Sequence, residues 1–211
     1  MQQLSRINTR YRKKPIDRIM QGDIFEDVPV LRWELGDDVK ITTKDSDWLK
    51  FAIVLSQECD LDADFRNWSN PARKDHDKCL PSVLVCPAYP SEQFKLGTHL
   101  GPDKPMVDWN KLGLFKQIKD NNHARFHFLE KATQSDNEKN GIYVPSLVVD
   151  FKHYHALPIK AVYKLYDIGH YVGSINELFR EELSHRFSFY LGRIGVPPLD
   201  KCPPCEDELI Q

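Results

Sequence analysis

Lys50-Phe51-Ala52-Ile53-Val54-Leu55-Ser56 and Ser82-Val83-Leu84-Val85-Cys86 are the stretches on which the fold turns. Each holds a short, unbroken apolar run bounded by polar or turn-forming residues. Such a run suits a buried strand better than a helix, which needs more length. Pro87 and Pro90 are expected to stop the second run, because proline cannot donate to a sheet ladder. Upstream, Gly22-Asp23-Ile24-Phe25 opens a strand that Val28-Pro29-Val30-Leu31 continues. Gly36-Asp37-Asp38 is turn chemistry, and Val39 to Thr43 reads as a further strand.

Downstream, Ser91 to Gly97 and Trp109 to Asp120 favour short helices, the second with Leu114, Phe115 and Ile118 on its apolar side. Arg125 to Leu129, Ser146 to Asp150 and Ala161 to Leu165 read as strands, with Pro158 separating the last two. Asp62 to Pro81 is polar, with Asn67, Ser69, Asn70 and Pro71, and is expected to be a long loop. The clearest helix comes last. Ser174-Ile175-Asn176-Glu177 has the form of a capping box. Phe179, Leu183, Phe187, Tyr190 and Ile194 then recur at helical spacing and form one apolar face. Arg186 and Arg193 share a face near that stripe, and Gly195 with Pro197-Pro198 ends the helix. The succession predicts an α+β domain with inserted short helices and a long C-terminal helix.

Composition narrows the class. With 211 residues, 41% of them hydrophobic and 11% aromatic, the chain is neither disordered, collagen-like nor a coiled coil. The net charge of −2 hides opposite ends. Residues 1–20 form a basic arm with Arg6, Arg10, Arg12, Lys13, Lys14 and Arg18, whereas 197–211 form an acidic, cysteine-containing tail. Residues 21–196 read as one domain. Nothing in Met1 to Met20 has the apolar core of a secretory signal, no apolar run approaches the ~20 residues that span a bilayer, and five cysteines fit poorly with a fully paired framework. A cytoplasmic protein is expected.

Several groups of residues could carry chemistry. Ser56 to Asp64 follows a buried strand, where polar groups stand at an edge of the core. Cys59 is a candidate nucleophile with His153 or His155 as its base; two histidines spaced by two on a strand face the same way. Asp60, Asp62 and Asp64 alternate and, if extended, could hold Mg²⁺; the alternative is aspartates that open a loop. His76 and Cys79, with Cys202 and Cys205, have the spacing for a Cys₃His zinc site, against a frayed tail with unremarkable thiols. Arg10, Arg12, Lys13 and Lys14 could neutralise phosphates, or simply be solvated. Walker, dinucleotide-binding, Gly-x-Ser-x-Gly and His-Glu-x-x-His motifs are absent.

Gly22-Asp23-Ile24, then Lys50-Phe51-Ala52-Ile53-Val54-Leu55-Ser56, then Val83-Leu84-Val85-Cys86-Pro87-Ala88-Tyr89, in that order, resemble the PemK/MazF-like toxins over roughly residues 21–90. The resemblance implies a strongly bent antiparallel SH3-like β-barrel, a homodimer, and metal-free RNA cleavage. The family's charge-stabilising arginine falls on Lys50, the proline after it on Phe51, and the threonine of its Pro-x-Thr on Tyr89. The expected function is therefore that of a nucleic-acid-acting protein of toxin or defence type, an RNA-binding protein or endoribonuclease. Lys50, Cys59, Asp60, Tyr89, His153 and His155 are its candidate catalytic residues. The alternatives are a non-catalytic module on the same barrel that binds a protein partner, and a thiol- or metal-dependent hydrolase centred on Cys59 and Asp60.

Overall fold

The computed structural model describes residues 10–13, 17–35, 41–70, 72, 76–101, 103–109, 113–133 and 141–193, with the backbone alone over 31–35 and 41–47. The strands are β1 (Tyr11–Arg12), β2 (Asp23–Leu35), β3 (Ile41–Val54), β4 (Ser82–Pro90), β5 (Phe126–Leu129), β6 (Leu147–Asp150), β7 (His155–Pro158) and β8 (Tyr171–Ile175). The helices are α1 (Glu58–Trp68), α2 (Ser91–Leu96), α3 (Phe115–Lys119), α4 (Ile159–Asp167) and α5 (Glu177–Leu191), with 3₁₀ turns at His76–Lys78 and Phe151–His153.

The strands form an antiparallel eight-stranded sheet in the order β1-β8-β2-β3-β4-β6-β5, with β7 added on β4. The apolar runs of β3 and β4 are continuous because both faces of the sheet are covered. Phe51, Ile53 and Leu55 pack with Cys86, Ala88, Leu147 and Val149 beneath Leu183 and Phe187 of α5. Their alternates, Ala52 and Val54, pack with Val83, Val85, Leu61 of α1 and Val162 of α4. A third cluster joins Tyr89, Phe94, Ile118, Phe126, Phe128 and Val148.

β4 runs through Pro87 to Pro90, past the stop expected at Pro87. On one edge its first half pairs with β7, from Ser82↔Pro158 to Val85↔His155. Its second half pairs with β6, from Ala88↔Val149 to Pro90↔Leu147. Pro87, which has no N–H to offer, falls between these two ladders, so its defect costs no pairing there.

The sheet is not closed into the expected barrel: among the described residues its end strands, β1 and β5, do not pair with each other. Side chains cover the β5 edge instead. The Asn121 amide accepts the Phe128 N–H at 2.6 Å and donates to its carbonyl at 3.3 Å, and Arg186 donates to the Phe126 carbonyl at 2.9 Å.

Several local expectations change. The Asp62–Pro81 stretch opens in helix, since α1 reaches Trp68. Leu61, Asp64 and Asn67 turn inward at spacings of three, and Glu58 and Asp60 lie in the first turn, where the helix dipole favours acids. Ala161 to Leu165 lies in α4, not a strand, with Val162, Leu165 and Tyr166 on its buried side. Among the described residues of Trp109 to Asp120, the helix is confined to Phe115–Lys119. Ser174 does not cap α5. It sits in β8 and donates to the buried Asp23 carboxylate, which also accepts from the Tyr166 hydroxyl and from the Met20 N–H at 2.7 Å. The cap is Asn176, whose Oδ1 accepts the Glu177 N–H at 3.0 Å. The α5 stripe holds at Phe179, Leu183, Phe187 and Tyr190; Ile194 lies outside the described residues. Arg186 and Arg193 differ in setting: Arg186 binds backbone carbonyls, and Arg193, just past the end of α5, lies over the Tyr190 ring. Among the described residues, no helix is long and apolar enough to cross a membrane.

Candidate functional site

The change of partner along β4 creates a groove. β6 and β7 flank the same edge of β4, so the 3₁₀ turn that joins them crosses that edge where the two ladders part. The turn and the start of β7 bring His153, Tyr154 and His155 to the groove, β3 brings Trp48 and Lys50, and the end of β4 brings Tyr89. The segment after α2 closes the far side with His99 and Lys104, around a volume of about 590 Å³.

His153 is held from behind. Its Nδ1 lies 2.9 Å from Oδ2 of Asp150, the last residue of β6. Asp150 is fully buried and receives a two-bond clamp from Arg125, with Nε on Oδ1 and Nη2 on Oδ2, both at 2.7 Å. The Lys152 N–H adds a bond to Oδ1 at 3.1 Å. Burial alone would raise the Asp150 pKa, but the hydrogen bonds from His153 and Arg125, with their charges, outweigh it and hold the carboxyl at about 2. An ionised carboxylate on Nδ1 fixes the ring and leaves Nε2 as the working nitrogen, the logic by which an aspartate orients a catalytic histidine.

The surrounding groups differ in character. The Lys50 ammonium is exposed and lies 3.0 Å from Oδ1 of Asp27, whose hydrogen bond raises its pKa and keeps it charged. Tyr89 is mostly buried, and burial, with the Asp150 charge behind it, raises its phenol pKa, so the group stays protonated. The His99 ring sits 4.5 Å from the Tyr89 ring and 4.6 Å from that of Phe94. Burial lowers its pKa to about 4 against the opposing pull of Asp150, so the ring is neutral near pH 7. Trp48 and Tyr154 expose large parts of their rings.

Lys50, Tyr89, His153 and His155 therefore line one groove, although His153 occupies a turn rather than sharing a strand with His155. Cys59 and Asp60 are not among the lining residues. Both are exposed in the first turn of α1, and the Cys59 thiol lies 3.6 Å from Gln57 Oε1 and 3.7 Å from Asp60 Oδ1. The groove thus holds His153 and His155, the candidate bases, without Cys59. Nor do Asp60, Asp62 and Asp64 form one acidic face, because helical geometry turns Asp62 to the side of α1 opposite Asp60 and Asp64. Asp62 pairs with Arg66 at 2.8 Å, and Asp64 turns inward to accept the Leu80 N–H at 2.7 Å.

His76 and Cys79 are exposed at and just after the 3₁₀ turn His76–Lys78; Cys202 and Cys205 lie outside the described residues. Among the described residues, no group of three or more His, Cys, Asp or Glu is placed to hold a metal ion. Arg10 pairs with Glu130 at 2.9 Å and Arg12 with Glu177 at 3.2 Å, so these arginines lie against the domain. Lys13 follows β1, and Lys14 lies outside the described residues.

Sequence reasoning missed Asp150, Arg125, His99, Lys104, Trp48 and Tyr154. Asp150 left a signal, an acid three residues before His153. Arg125 left none, since its pairing with Asp150 needs β5 beside β6. No family model, curated protein or solved structure matches the chain.

Proposed function

We propose that the protein acts on RNA through the β4 groove, as an RNA-cleaving protein of toxin or defence type on an SH3-like, PemK/MazF-like core. The observation that carries this reading is the convergence of Lys50, Tyr89, His153 and His155 on one groove, with His153 fixed by Asp150. Cleavage without a metal needs a base, an acid and positive charge near the phosphate. His153 Nε2 takes the proton from the ribose 2′-hydroxyl, whose oxygen attacks the adjacent phosphorus. The P–O5′ bond breaks, a 2′,3′-cyclic phosphate forms, and protonated His155 gives its proton to the leaving 5′ oxygen. Lys50 and Lys104 neutralise phosphate charge, while Trp48 and Tyr154 offer faces on which bases stack.

The test is incubation of the full chain with an end-labelled RNA oligonucleotide, with analysis of the product ends. Expected are 2′,3′-cyclic phosphate and 5′-hydroxyl ends, lost in His153→Ala, and binding that weakens as salt rises. Absence of both cleavage and salt-dependent binding overturns the reading. The exposed Trp48 and Tyr154 favour a second reading, a protein-binding face, because aromatics are enriched at the cores of interfaces. A defined protein partner that competes for Trp48, with no RNA binding, supports that one instead.

A further inference from the structure

A second cavity lies between β1, β5 and α5, and encloses about 220 Å³. Tyr11, Leu129, Ile175 and Phe179 form an apolar side of its wall, and polar and charged residues form the rest. One of those polar side chains is buried. His127 is 2% exposed, and its Nδ1 is buried with no hydrogen-bond partner. Burial, helped by the Arg186 charge, lowers its pKa to about 3, so the ring is neutral and offers one N–H and one lone pair. His127 is also one of the residues that line the cavity, so a molecule held there lies against this ring.

The rim carries both signs of charge. Arg10 and Lys119 face Asp120, Glu130 and Glu182 around the opening, with Arg10 already 2.9 Å from Glu130. The acids outnumber the bases, which disfavours a simple anion such as phosphate. A molecule with an ammonium group answers the carboxylates, and a carboxylate on the same molecule answers Lys119 and the His127 N–H.

We propose that this cavity binds a free α-amino acid with an apolar side chain. Its side chain lies on the wall of Leu129, Ile175 and Phe179. Its ammonium meets Asp120 and Glu182, and its carboxylate meets Lys119 and His127. β1, β5 and α5 all contribute to the cavity, so occupancy ties the N-terminal strand to the body of the domain.

The test uses the full chain with leucine, isopentylamine and 4-methylpentanoate as probes, read by thermal shift and by ¹H–¹⁵N NMR titration. Leucine is expected to bind and raise Tm, and each single-headed analogue to bind at least about tenfold more weakly. His127→Leu replaces an unbonded imidazole with an apolar group, so it should fold with unchanged or higher Tm and yet lose the response to leucine about tenfold or more. A merely structural histidine would not separate these readouts. Glu182→Gln and Lys119→Ala, at exposed positions, should each weaken leucine binding and keep the test open if His127→Leu does not fold. No leucine response up to about 20 mM, equal binding of isopentylamine and leucine, or binding undiminished in all the variants that fold overturns the proposal.

Discussion

Nδ1 of His153 lies 2.9 Å from Oδ2 of Asp150, a carboxylate with no solvent exposure that Arg125 clamps on both oxygens. The pair joins the end of one strand to the turn after it and sets which imidazole nitrogen remains for chemistry. His153→Ala is expected to lower RNA cleavage by about 10²–10⁴-fold, the range of a general acid or base. RNA affinity should change little. Single-turnover rates and equilibrium binding on the same oligonucleotide separate the two.

Asp150→Asn should act on stability as well as on His153. It leaves the partly buried Arg125 guanidinium without its counter-charge, a change expected to cost about 3 kcal/mol or more. Urea unfolding followed by tryptophan fluorescence measures the loss.

Stability should fall with acid, and the sign follows from the direction of the shifts. Asp150 titrates near 2 in the folded protein and near 3.8 when unfolded. The unfolded chain therefore binds its proton first as pH falls. The resulting stabilisation, about 2 kcal/mol, is present above the unfolded value and is lost as pH drops towards 2. His99 and His127 act in the same sense at higher pH. Folded values of about 4 and 3, against 6.5 unfolded, mean that stability declines from about pH 6.5 downward. Tm measured from pH 7 to pH 3 should fall throughout, and His127→Leu should flatten the upper part of the curve.

Trp48→Ala should weaken RNA binding by about 1–3 kcal/mol, the contribution of one stacked base, with Tm nearly unchanged because the ring is 60% exposed. Fluorescence titration of the wild type and filter binding of the variant measure it. A loss of stability equal to the loss of affinity would instead assign Trp48 to the fold.

Cys59→Ala should change neither RNA cleavage nor Tm, since the thiol is exposed on α1 and outside the groove. Asn121→Ala should cost about 1–3 kcal/mol, because both the N–H and the carbonyl of the mostly buried Phe128 lose their partner. The two variants, compared in one urea series, contrast an inert surface thiol with a side chain that closes a sheet edge.

Legibility in the sequence followed the range of the interaction. The strands around Ile53 and Val85 were readable because apolar runs are local, and α5 because its stripe repeats at 3.6 residues. α1 and α4 were misread. The alternating aspartates of α1 imitate a strand or loop, and Ala161 to Leu165 is too short an apolar run to distinguish its two periods. Lys50, Tyr89, His153 and His155 could be named from residue type, from the resemblance and from their positions beside apolar runs. Arg125 could not, because nothing near it in the chain indicates Asp150.

By itself the sequence determined which segments must be buried, the mixed α+β class and a short set of chemically able side chains. These follow from hydrophobic periodicity and residue chemistry, which act over a few neighbours. Only the tertiary structure decided that β4 divides its edge between β6 and β7, and that the turn between them carries His153 to Lys50 and Tyr89. It also decided that Cys59 stands apart and that His127 is buried beside a cavity. Those outcomes depend on strand pairing between distant residues, and a strand's own residues do not specify which partner it takes.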